Sequence, residues 1–157
     1  MVQLVQTTYA ESDLFENFDA LLETYDISNE LMVFELGKFH FLRKRKAKQE
    51  LKALFYALWK LALKQSFPDD YERFFSTYCK DNNLEKDAAG NATTFFRSVE
   101  VYNTLLAEHG TSNFSNVADF LTDQLVKDSS RREYITLKLA LSIRSTYNLI
   151  FQKLIAN

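Results

Sequence analysis

The sequence predicts an all-α protein, with residues 1–157 forming a single domain of five to seven helices around a central buried helix and ending in a long helix. Three Gly and one Pro are too few for a β-sandwich, which needs turn residues about every 8–12 positions. Apolar residues instead recur at three- and four-residue spacings, which are typical of amphipathic helices. The 46% apolar and 25% charged content is that of a globular chain rather than a disordered one.

The first helix is predicted to begin near Thr8, because Thr8 and Glu11 have the spacing of a capping box. Ser12 with Asp13 offers another start. Its apolar stripe contains Leu14, Phe18, Leu21, Leu22 and Tyr25. Residues 27–42 fit either a helix or a strand. We expect a helix to about Gly37, because an isolated strand would have no partner in so helical a chain.

The central helix is predicted over residues 48–67, and its surface is apolar on almost every side. Its polar positions form only a narrow ridge, Lys48, Lys52, Lys60 and Lys64, and a helix of this kind is buried. Pro68 is predicted to lie in the first turn of the next helix, which Ser66 or Phe67 caps. That helix carries an aromatic face, Tyr71, Phe74, Phe75 and Tyr78.

The rest of the chain predicts a polar loop followed by three helices. Residues 80–92 are predicted as the loop, and residues 93–109 as a helix that ends at His109-Gly110. Another helix begins at Ser115 or Asn116 and extends to Leu125. The long last helix is predicted over residues 130–154, with a buried face of Ile135, Leu139, Ile143, Tyr147, Ile150 and Leu154.

Recognisable catalytic and metal motifs are absent from the sequence. His40 and His109 are the only histidines, and neither has the spacing of a helix-borne metal site. The single cysteine, Cys79, is interpreted as a small buried apolar side chain, and neither a nucleophile elbow nor a phosphate loop occurs. The sequence therefore predicts no enzyme activity, no catalytic residue, no metal and no cofactor.

Two features of the sequence bear on the cellular location of the protein: its N-terminal residues and its longest apolar stretch. Residues 1–10 have neither the basic region nor the apolar run of a signal peptide. The longest nearly apolar stretch, residues 53–63, is far shorter than the ~20 residues of a membrane span. With only one thiol, the chain is expected to be cytoplasmic and to have no membrane partner.

Charge is divided into blocks along the chain. Residues 1–37 contain eight acids and no Lys or Arg, whereas residues 38–64 contain nine bases and one acid. Bases beside aromatic residues can hold a nucleic-acid backbone, and the candidate binding residues are Lys38, Arg43, Lys44, Arg45, Lys46 and Lys48. Nucleic-acid-binding domains are usually basic overall, but this chain has a net charge of −2. We therefore expect segment 38–52 to be a solvated helix start that pairs with Glu11, Glu16 or Glu23, and we do not expect nucleic acid to bind.

Aromatic residues make up 15% of the chain, a high fraction for a small core. Because interface centres are rich in aromatic residues and Arg, we predict a regulatory module that binds another protein, or itself as a homodimer, through a helical face. A bulky core can alternatively leave a ligand site between helices. The candidate pocket residues are Phe55, Trp59, Phe74, Phe75 and Tyr78.

A short segment resembles the globin corner, in which a Pro and a Phe six residues later shape the haem pocket. Pro68 and Phe74 have this spacing, but the resemblance covers these few residues only, and the chain before Pro68 is longer than in a globin. His109 is the sole candidate for a haem ligand. The resemblance implies an alternative function, a haem-free helical sensor that binds an apolar small molecule.

Overall fold

Six α-helices make up most of the computed structural model, which describes residues 2–27, 30–31, 34, 41–109, 114–126 and 130–155. In chain order they are α1 (Val2–Thr24), α2 (Phe41–Ser66), α3 (Tyr71–Asp81), α4 (Thr94–His109), α5 (Ser115–Leu125) and α6 (Arg132–Ile155). Within these ranges, extended pairing is limited to one bridge between Lys86 and Ala92. The predicted all-α fold is confirmed.

Helix α2 lies at the centre and packs most extensively against α4 and α6, with further contacts to α3 and α5. Its core positions are almost completely buried: Leu51, Ala53, Leu54, Phe55, Tyr56, Ala57, Leu58, Trp59, Leu61, Ala62 and Leu63. Lys52 and Lys64 remain exposed on the polar ridge. The predicted central helix is therefore confirmed, although it begins earlier than expected, at Phe41.

Helix α1 joins this core through its aromatic side chains. The Phe18 ring stacks on Trp59 with 4.0 Å between the ring centres and meets Tyr78 edge-on at 5.2 Å. The helix begins at Val2 rather than near Thr8, so the predicted capping box lies inside the helix. Glu11 lies 3.8 Å from Arg73 on α3, and this ion pair links the two helices.

The connection between α2 and α3 differs from the predicted helix cap at Ser66 or Phe67. Helix α3 begins at Tyr71, so Pro68 lies in the turn before that helix rather than in its first turn. The Ser66 hydroxyl is buried without a hydrogen-bond partner. The Phe67 carbonyl instead accepts the backbone N–H groups of Asp70 and Tyr71, at 3.2 and 2.9 Å, and thereby starts the helix.

The predicted loop after α3 is confirmed, and it is organised around Asp87. One oxygen of Asp87 accepts the backbone N–H groups of Ala89 and Asn91 at 2.9 and 3.0 Å. Gly90 between them has a φ of +84°, which an L side chain rarely adopts. Thr93 then caps α4, since its hydroxyl accepts the Phe96 N–H at 3.0 Å.

The described part of residues 27–42 shows helical hydrogen bonding before α2. The Leu31 N–H donates to the Ile27 carbonyl at 3.0 Å, and the Phe34 N–H donates to the Glu30 carbonyl at 3.2 Å. These bonds follow the i to i−4 pattern of an α-helix. The remainder of the predicted helix, including Gly37, lies outside the described residues, as do His40 and Gly110.

Candidate functional site

Helix α6 has a buried face and an exposed face of different character. Its six predicted core positions, Ile135, Leu139, Ile143, Tyr147, Ile150 and Leu154, are all buried. Four large apolar side chains lie exposed on the opposite face: Tyr134 (47%), Leu137 (62%), Leu141 (56%) and Leu149 (43%). We call these four residues the α6 stripe. Tyr134, Leu137 and Leu141 follow one another at three- and four-residue steps and are neighbours on this face, and Leu149 lies about two turns further along the same side.

Positive charge surrounds the α6 stripe. The Lys138 ammonium lies 4.8 Å from the centre of the Tyr134 ring, and the Arg131 guanidinium lies 5.0 Å from it. Arg144 is exposed beside the stripe, and the only acid in α6 is Glu133. Such an apolar surface with a basic rim is suited to an apolar partner that carries acidic groups.

Arg132 has a different role, because it attaches the start of α6 to α5. Its guanidinium donates to Asp119 at 3.2 Å and also contacts Asp123. These bonds fix the start of the helix, and Thr136 adds a hydroxyl bond to Thr122 at 3.1 Å. The α6 stripe is thus presented on a helix that is anchored along its other face.

A second feature is a cleft beside a buried carboxylate. Glu30 is 5% exposed, and its Oε1 accepts the hydroxyl protons of Tyr25 at 3.0 Å and of Ser142 at 2.7 Å. Its other oxygen, Oε2, is buried without a hydrogen-bond partner. Burial, more than the nearby Glu30 charge, raises the pKa of Tyr25 well above its ordinary value, so the phenol remains a donor.

The cleft itself has a volume of about 330 Å³, which lies in the range of small-molecule sites. Thr146 adds a hydroxyl 3.4 Å from the Tyr25 hydroxyl. Apolar walls come from Leu21, Phe55 and Leu149. The cleft therefore combines oriented polar groups with apolar surface.

Of the five predicted pocket residues, Phe55 lines this cleft. The other four are buried among aromatic rings: Trp59 lies 5.9 Å from Phe75 and 5.0 Å from Tyr78, and Phe74 lies 5.6 Å from Phe67. The Tyr78 hydroxyl donates to Asp19 at 2.5 Å. The structure thus does not bring these four residues to the described cleft.

The predicted basic residues lie at the start of α2, except for Lys38, which is outside the described residues. Arg43 and Lys44 are half-buried, whereas the side chains of Arg45, Lys46 and Lys48 are exposed. The expected pairing with Glu11 is wrong, because Glu11 pairs with Arg73. In the described part of the chain, no ion pair joins the basic side chains of residues 43–48 to an acid.

Lys48 also lines a second groove, of about 390 Å³, together with Phe55 and Glu23.

Replacing Arg43, Lys44, Arg45 and Lys46 by Ala is expected to change the unfolding free energy by no more than about 0.5 kcal/mol per position, because none of the four belongs to the core. Urea unfolding followed by circular dichroism measures this change. We also expect the unmodified protein not to bind short DNA or RNA at ~0.1 M salt. Binding that weakens by roughly 0.7–0.9 log units per phosphate contact for each log unit of salt would contradict this expectation.

Cys79 is 1% exposed, as expected of a small buried apolar group. Burial, with a smaller effect from Glu85, raises the pKa of the Cys79 thiol from 9.0 to about 12. We therefore predict that iodoacetamide labels Cys79 in urea but not in the folded protein at pH 8, as mass spectrometry would show. Because the folded pKa lies above the unfolded one, the thiol's stabilising contribution is complete below about pH 9 and is lost as the pH rises towards 12. Rapid labelling without urea would contradict this prediction.

Sequence reasoning did not identify Glu30 or the α6 stripe. The sequence offers one signal for each: Glu30 is an acid between the apolar residues Ile27 and Leu31, and Leu137 and Leu141 fall on the polar side of the last helix. Of the two hydrogen-bond partners of Glu30, Tyr25 lies five positions away, whereas Ser142 lies 112 positions away and has no local signal in the sequence.

Comparison with known proteins finds no match for this chain among family models, curated proteins or solved structures. In the part of the chain that the structure describes, no three His, Cys, Asp or Glu side chains come together as a metal site. None of the described helices has the length and apolar character required to cross a bilayer.

Proposed function

We propose that this chain is a non-enzymatic interaction module whose α6 stripe binds an acidic amphipathic helix of another protein. The observation that carries the proposal is the set of four large apolar side chains exposed on one face of α6. Single exposed apolar residues are ordinary, whereas contiguous patches rimmed by polar groups are typical of interaction sites. A partner helix can place its own apolar side chains at helical spacing against such a surface.

Charge argues for a different protein as the partner rather than a second copy of this chain. A pair of α6 helices from two copies of this chain would bring together two rims of the same sign, each carrying Lys138 and Arg144. The exposed side of α1 carries the complementary charges Asp13, Glu16, Asp19 and Glu23. However, the side chains described for α1 include no large exposed apolar group to cover Leu137 and Leu141. A partner that is both acidic and apolar satisfies both requirements.

The test uses a labelled peptide of about 18 residues, or five helical turns, with Leu on one face and Glu on its flanks. A matched peptide carries Lys in place of each Glu, and fluorescence anisotropy measures the binding of both. We expect the unmodified protein to prefer the acidic peptide by about tenfold. Lys138→Glu combined with Arg144→Glu should reverse this preference, because the rim charges change sign. Equal binding of both peptides, or of neither, would contradict the proposal.

A further inference from the structure

We infer that the cleft beside Glu30 binds a small organic cation, a primary ammonium group with an apolar substituent. The carrying observation is the carboxylate of Glu30, a residue that is only 5% exposed and whose Oε2 is buried without a hydrogen-bond partner. Glu30 also lines the cleft, so its carboxylate is the charged acceptor that a bound cation would meet there. This inference does not rest on the role proposed for the α6 stripe, although Leu149 belongs to both surfaces.

The charge of Glu30 is not balanced by its described surroundings. Tyr25 and Ser142 both donate to Oε1, but their neutral hydroxyl groups orient the carboxylate without offsetting its charge. The described lining of the cleft contains no Lys or Arg. A buried carboxylate without a cation or a full set of donors is unfavourable. A bound ammonium group would supply both the positive charge and the missing N–H donor.

The walls of the cleft favour an organic cation over a metal ion. The Tyr25 and Phe55 rings, 4.5 Å apart and tilted by 30°, form an aromatic wall, and such rings attract ammonium groups. Leu21 and Leu149 offer apolar surface to a substituent. Calcium prefers about 6–8 oxygen ligands, most of them carboxylates and carbonyls. The described cleft instead supplies two carboxylates and several hydroxyl groups.

The experiment is isothermal titration calorimetry of the full chain at pH 7 with 2-phenylethylamine, and with 2-phenylethanol as its neutral counterpart. We expect the amine to bind and the alcohol not to bind. Glu30→Gln keeps the shape of the side chain but removes the charge. It should weaken amine binding about 10- to 100-fold, as for loss of a hydrogen bond to a charged group. Glu23→Gln, at an exposed acid of the neighbouring groove, is the matched control and should bind the amine as the unmodified protein does.

Three results would overturn the inference: neither compound binds, both bind equally, or Glu30→Gln binds the amine with unchanged affinity. Thermal unfolding shows whether Glu30→Gln is folded, and removing a buried charge should not lower its melting temperature. The comparison of amine and alcohol uses the unmodified protein. It therefore tests the inferred ammonium binding even if Glu30→Gln does not fold.

Discussion

Replacing Trp59 by Ala is expected to lower the unfolding free energy by about 3–5 kcal/mol, the usual cost of removing a large aromatic side chain from a core. Trp59 is completely buried. Its ring stacks on Phe18 and contacts Phe15, Phe75 and Tyr78, so the substitution would leave a cavity among the aromatic side chains of α1 and α3. Urea unfolding followed by circular dichroism measures the loss.

Two control variants separate the loss of packing from the loss of the indole N–H. The Nε1–H of Trp59 is buried without a partner, so Trp59→Phe removes an unsatisfied donor while keeping an aromatic ring. Its cost should be less than half that of Trp59→Ala. Leu42, which is 84% exposed, should tolerate Ala within about 0.5 kcal/mol. A loss below about 1 kcal/mol for Trp59→Ala would show that these rings do not form the core described above.

The combined replacement of Leu137 and Leu141 by Ser should weaken binding of the acidic peptide at least about 30-fold. Each leucine is more than half exposed and would be covered in the complex, and burying this much apolar surface contributes about 1 kcal/mol or more per side chain. Fluorescence anisotropy with the acidic peptide measures the effect.

Stability should hardly change in the same double variant, since neither leucine belongs to the core. Val101 on α4 is also partly exposed, at 41%, and it lies outside the α6 stripe. Val101→Ser is therefore the matched control, and it should bind the peptide normally. If Val101→Ser and the double variant lost affinity to the same extent, the effect would not be specific to the α6 stripe.

Local periodicity was sufficient to predict the helices, because helix burial leaves a regular pattern in the sequence. The apolar run of α2 predicted its central position, and α6 was predicted within two residues at its start and one at its end. Helix starts were predicted less well. The Thr8–Glu11 spacing is compatible with the middle of a helix as well as with its beginning, so it could not exclude the start at Val2.

The sites depend on contacts between distant parts of the chain, and local patterns contain little of this information. Tyr78 was predicted as a pocket residue, but its hydroxyl binds Asp19, 59 positions away. Glu50 is the one acid of the basic block, and it accepts the hydroxyl groups of Ser98 and Tyr102 on α4. Only the packing of α1, α2 and α4 shows which acids receive such bonds.

The most direct test of the proposed interaction is methyl NMR of leucine-labelled protein titrated with the acidic peptide. The proposal predicts the largest shifts at the methyl groups of Leu137, Leu141 and Leu149 on the α6 stripe. Leu42, which lies exposed among the bases at the start of α2, should not shift. Shifts concentrated at Leu42 would show that the peptide binds the basic segment instead. Either that result or the absence of any shift at the α6 stripe would contradict the proposed function.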